Sequence, residues 1–166
     1  MLRGATESRN IFGMRATYKV LGHVIAGLVA VQAAAIALWV FGLWNWVDGG
    51  KSFTPQVAEE RGEGVSELSV GILIHSMGAN IIALLAIVLL IISFFAKIPD
   101  GVKWAGFVFL AVLFQWVVAI FSFEVPGLGF LHGANALLVA WLGWRAAKQA
   151  DVVGETVAES EAAPAR

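Results

Sequence analysis

Four long stretches of this chain contain no Asp, Glu, Lys or Arg: residues 20–47, 68–96, 104–123 and 125–144. Each reaches the roughly 20 residues that an α-helix needs to cross the hydrocarbon core of a bilayer. In lipid every backbone N–H and C=O must be satisfied within the spanning structure, so a chain of this kind folds as helices. The expected fold class is an all-α integral membrane protein, an antiparallel bundle of four transmembrane helices with spans at about 19–43, 68–96, 104–122 and 128–147. Glu124, Pro126, Gly127 and Gly129 mark a tight turn between the last two, and Pro99-Asp100-Gly101 marks the one before. Composition agrees. The chain is 59% hydrophobic and only 14% charged, against roughly 25% charged in soluble domains, and its mean hydropathy is +0.80.

Positive charge orients the spans. Arg3, Arg9, Arg15 and Lys19 precede the first, Lys97 and Lys103 flank the second connection, and Arg145, Lys148 and Arg166 follow the fourth. All fall on one side of a four-span arrangement. Lys51 and Arg61 fall on the other, among Asp48, Glu59, Glu60, Glu63 and Glu67. Both termini are therefore expected on the cytoplasmic side. Trp44 and Trp46 then belong to the outer interface and Trp104, Trp141 and Trp144 to the inner one. The first apolar run is longer than the roughly 7–15 residues of a signal peptide's core and reads as a retained span. Residues 1–17 form a cytoplasmic tail, 18–148 the membrane domain, and 149–166 a second cytoplasmic tail; the polar, small or acidic composition of both tails predicts disorder. The Gly-rich, charged connection of about 45–66 has room for a short interfacial helix near residues 55–61.

Several functions are excluded or disfavoured. A net charge of −1 offers no electrostatic footprint for nucleic acid. The absence of cysteine removes disulfides, thiolate metal sites, iron–sulfur clusters and covalent c-type haem. No Gly-rich phosphate loop, His-Glu-x-x-His or nucleophile elbow occurs.

His75 and His132 stand out because each interrupts a span, and ionisable residues in hydrocarbon mark functional candidates. At ~1.5 Å per residue, they lie ~10 Å and ~6 Å below the outer edge. Imidazole is a common axial ligand of haem iron, and bundles build cofactor sites from facing helices. One b-type haem between the second and fourth helices is thus geometrically possible, with His75 and His132 as ligands. Gly71, Gly78 and Ala79 share the face of His75, which lets either a flat macrocycle or another helix approach closely. Asn135 shares the face of His132 and is placed to orient an imidazole or bond a propionate. Gln115 falls at similar depth and joins this polar set. Small residues and amides are equally what packed membrane helices use to meet and bond across one another, and that reading applies above all to Gln32 and Asn80. His23 lies near the inner interface without a second histidine at its depth, and reads as an interfacial residue, with a quinone contact or haem ligation as lesser alternatives.

A weak internal similarity runs through the chain. The segments around Gln32 and Gln115 are each followed by a helix carrying His and then Asn, in His75-Ser76-Met77-Gly78-Ala79-Asn80 and His132-Gly133-Ala134-Asn135. Two hairpins of this kind suggest a pseudo-twofold bundle.

The lone His in the second helix, Gln in the third, and Leu131-His132-Gly133-Ala134-Asn135-Ala136-Leu137-Leu138 opening the fourth resemble small bacterial four-span membrane proteins of unknown function, mainly actinobacterial. The resemblance covers about residues 18–148 and implies a multi-pass protein of the bacterial plasma membrane, without implying an activity. More distantly the chain resembles haem-bearing four-helix membrane proteins such as heme A synthase and the transmembrane cytochromes b. It departs from the diheme cytochromes in having a single plausible histidine pair. It departs from heme A synthase in lacking an evident second site and a carboxylate inside a span.

Three functions remain open at this level. One is a single-haem electron-transfer or haem-handling protein using His75 and His132, tuned by Gln115 and Asn135. Another is a non-catalytic membrane subunit or assembly partner of a larger complex, in which these residues pack helices. The third is a quinone-binding or transport protein, although no span contains the proline that a broken transporter helix would favour.

Overall fold

A computed structural model describes residues 2–59 and 66–162, with side chains over 10–57 and 68–152. Every regular element among them is helical: α1 (Leu2–Asp48), α2 (Pro55–Glu59), α3 (Ser66–Ser93), α4 (Gly101–Ser122) and α5 (Leu128–Ala162). Three are long and apolar enough to cross a membrane, over Asn10–Asp48, Leu68–Ser93 and Gly101–Ser122. The fourth expected span corresponds to the first part of α5. There His132, Asn135, Trp141, Trp144 and Arg145 dilute the apolar run, and this helix does not join the other three.

Helix α1 is longer than its expected span. Its 47 residues rise about 70 Å, against roughly 30 Å of hydrocarbon. No proline interrupts it, so the expected tail of 1–17 is helical from Leu2 onward. The expected disordered tail of 149–166 is likewise helical as far as Ala162; Ala, Glu and Gln in this stretch are helix formers. Helix α1 stops at Gly49-Gly50. Gly50 takes the left-handed φ of 80°, and the amides of Gly49, Gly50 and Lys51 close on the carbonyls of Asn45, Val47 and Trp46. The Lys51 ammonium then lies over the Trp46 ring, 4.2 Å from its centroid. The short helix expected near 55–61 is α2, with Pro55 in its first turn and the Thr54 hydroxyl accepting from the Val57 amide.

The chain divides into two compact units, residues 1–27 with 83–166, and residues 28–82. In the first, α4 and α5 are antiparallel neighbours joined by the short turn at 123–127. Helix α1 meets α5 so closely that a Cβ on Gly22 would lie 2.6 Å from the Gly143 carbonyl oxygen, and one on Gly143 would lie 2.9 Å from that of Gly22. The α3–α4 turn is held from α1. The Arg15 guanidinium donates to the carbonyls of Ala96 (3.0 Å) and Lys97 (3.1 Å), and the buried Tyr18 hydroxyl donates to that of Gly101 (2.8 Å). Lys97 and Asp100 both adopt left-handed backbone there, with φ of 50° and 53°. The two Arg15 bonds satisfy carbonyls that a tight turn would otherwise leave unpaired, and Tyr18 ties the first turn of α4 to α1. Asp151 on α5 pairs with Lys19 of α1 (2.5 Å) and Lys148 (3.5 Å). The hydrogen bond from Lys19 holds its carboxyl below the ordinary range.

In the second unit, α1 packs on the small face of α3. A Cβ on Gly71 would lie 2.8 Å from both the Ala35 carbonyl oxygen and the Trp39 amide nitrogen.

Candidate functional site

The α4–α5 hairpin brings Gln115, His132 and Asn135 into one hydrogen-bonded cluster. Its short turn places Gln115, two turns from the end of α4, level with His132 at the start of α5. The Gln115 side-chain amide donates to the His132 carbonyl at 2.9 Å, and His132 Nδ1 lies 3.3 Å from the Gln115 carbonyl. A carbonyl only accepts, so this second contact requires the proton on Nδ1. Asn135, 7% exposed, uses its amide nitrogen twice. It donates to the Ala111 carbonyl at 2.9 Å and to Gln115 Oε1 at 2.6 Å. The amides therefore orient each other and grip the backbone of the opposing helix. This is the cross-helix amide bonding by which membrane helices associate.

The second unit repeats the motif in part. Buried Gln32 of α1 donates to the Ile74 carbonyl of α3 at 3.4 Å, one residue before half-buried His75. In each hairpin, then, the glutamine of the first helix bonds a carbonyl at or beside the histidine of the second. The sequence similarity has this physical counterpart. Asn80 does not follow it: exposed, it bonds back to the Ser76 carbonyl of its own helix at 2.7 Å.

Gly71 and Gly78 lie on the face of α3 that α1 covers. Gly71 lies against the α1 backbone, and Gly78 lies under the Gln32 amide, which a Cβ there would overlap. Both glycines permit helix packing. His75 belongs to this unit and His132 to the other. His23 lies on α1 with an exposed side chain. Among the described residues, no three or more His, Cys, Asp or Glu gather into a group that could hold a metal ion.

Two features escaped the sequence reading. One is the α1–α5 contact, although Gly22 with Ala26 and Gly143 with Ala147 carry the small-xxx-small spacing that permits it. The other is the grip of Arg15 and Tyr18 on the α3–α4 turn, which no local pattern signals.

No protein-family model, curated protein or solved structure matches this chain.

Proposed function

We propose that the chain is a four-span membrane protein with both termini cytoplasmic, acting as a non-catalytic subunit or assembly partner of a larger membrane complex. The observation that carries this reading is where the polar residues go. Gln115 and Asn135 are spent on carbonyls across the α4–α5 interface, Gln32 on α3, and Gly71 and Gly78 on the approach of α1. These amides and glycines thus serve register and packing. The contact between Arg15 and the 96–97 backbone supports the topology, because a four-span arrangement requires the start of the first span and the second connection to share a side. Recognition then falls to the outward faces, where large apolar side chains such as Phe41, Leu84, Leu110, Ile120 and Leu137 are exposed.

A second reading is kept for one reason. An imidazole whose Nδ1–H bonds a backbone carbonyl presents the Nε2 lone pair, which is how metal-bound histidines are commonly oriented. His132 Nδ1 lies against a backbone carbonyl in this way, and His132 would hold the iron of a b-type haem with His75 as the expected partner. The glycine face beside His75 does not fit the macrocycle, since α1 fills it. A bound haem would supply one-electron redox chemistry, while His132 would hold the iron and Gln115 would fix the ring.

One preparation tests both readings. Full-length protein is isolated from its native membrane in mild detergent, with haem supplied during growth. The expected result is co-purification with a stoichiometric membrane partner and a reduced-minus-oxidised optical spectrum without b-type bands. A monodisperse protein without a partner, showing b-type bands that vanish in both His75→Ala and His132→Ala, would replace the subunit reading with the haem reading.

A further inference from the structure

The cytoplasmic end of the α4–α5 hairpin carries an arginine on an aromatic platform. The Arg145 guanidinium lies over the Trp104 ring, 4.8 Å from its centroid. Two other rings meet Trp104 edge-on, Phe107 at 5.9 Å and Trp141 at 6.0 Å between centroids. Phe107 and Trp141 are 42% and 50% exposed, so the platform opens outward rather than into the core. Lys103, also exposed, precedes Trp104 directly. The nearby acidic groups do not neutralise this cluster. Asp151 is taken by Lys19 and Lys148, and among the described residues neither Arg145 nor Lys103 forms an ion pair with a carboxylate. Asp100 is exposed at the preceding turn.

We propose that this cluster is a headgroup site for an anionic phospholipid of the cytoplasmic leaflet. The inference rests on the membrane topology proposed above. Charge complementarity selects the occupant. Two cations without a carboxylate partner among the described residues meet a layer of lipid phosphates at the expected depth of the interface, and a guanidinium donates to a phosphate through two parallel N–H···O bonds. Stacking on Trp104 pre-orients the guanidinium, leaving its N–H edge for the phosphate. The exposed faces of Phe107 and Trp141 lie one turn deeper, where glycerol and the upper acyl chain would rest. Tryptophan is suited to that depth because its ring is apolar and its N–H is wet.

The test uses the full chain reconstituted in phosphatidylcholine vesicles with trace spin-labelled phosphatidylglycerol or spin-labelled phosphatidylcholine. Electron spin resonance reports the motionally restricted lipid at the protein surface. The expected association of phosphatidylglycerol is about three- to fivefold above that of phosphatidylcholine. It should fall toward parity in the Arg145→Gln/Lys103→Gln double variant and stay unchanged in Lys51→Gln, whose cation lies against a different tryptophan. Rising salt should also erode the wild-type preference, a readout that holds even if the double variant folds poorly. Equal association of the two lipids with wild-type protein would overturn the proposal, as would an undiminished preference in the double variant. If neither label shows a restricted component, the membrane reading itself fails, a result distinct from the loss of headgroup preference.

Discussion

Gly22→Leu is expected to destabilise the protein by about 3 kcal/mol or more, the upper end for overpacking a tight interface. The contact it would break is backbone against backbone. A Cβ at position 22 would sit 2.6 Å from the Gly143 carbonyl oxygen and 2.9 Å from the Ala147 amide nitrogen. Neither atom can rotate away as a side-chain tip can, so α1 must move off α5. Gly27→Leu is the matched control, since a Cβ there would meet nothing within 4 Å. Its loss of glycine should be neutral or stabilising by up to ~1 kcal/mol through helix propensity. Unfolding in mixed detergent micelles, followed by circular dichroism, separates the two. Equal midpoints for Gly22→Leu and wild type would mean that α1 and α5 do not approach as described.

The second large effect is expected at Asn135. Replacing it with Leu removes the donor to both the Ala111 carbonyl and Gln115 Oε1. The Ala111 carbonyl keeps its bond within α4, but Gln115 Oε1 loses its partner, for a loss of about 1–3 kcal/mol. Interhelical hydrogen bonds in membranes average nearer 0.6 kcal/mol, so the larger figure requires the amides to act as a unit. A double-mutant cycle with Gln115→Leu measures this. If Asn135 holds Gln115 in place for its bond to the His132 carbonyl, the two substitutions together should cost less than their sum, by about 0.5 kcal/mol or more. Strict additivity would show two independent bonds.

The helical class, the turns at 99–101 and 123–127 and the short α2 were legible in the sequence because each has a local cause. Charge-free length forces helices, and Pro and Gly punctuate them. The meeting of Gln115, His132 and Asn135 was legible for the same reason, since a short turn leaves little freedom in how two helices align. Helix ends were less legible. Composition changes at residue 18 and again after 148, but a helix stops only where the backbone is made to stop, and nothing before Gly49 stops α1. The role of Gly71 and Gly78 was undecided in the sequence because a small face accepts a flat ligand or a helix equally well. Only the position of α1 distinguishes them. Arg15 counted in the sequence merely as positive charge. Its bonds to Ala96 and Lys97 join residues more than 80 positions apart, a pairing that no local pattern contains.

The glutamine-to-carbonyl bond recurs within each hairpin, Gln32 to Ile74 and Gln115 to His132, and neither bond borrows a partner from the other hairpin. This bears on how the chain enters its membrane. During synthesis the first pair of helices emerges well before the second. A polar side chain stranded in hydrocarbon until the last helix arrives would favour slipping back out or pairing wrongly. In the proposed four-span arrangement each glutamine nitrogen would find its acceptor within its own hairpin. If the proposed four spans insert in pairs, the second hairpin would satisfy its glutamine fully, while the first would still hold Gln32 Oε1 buried without a hydrogen-bond partner.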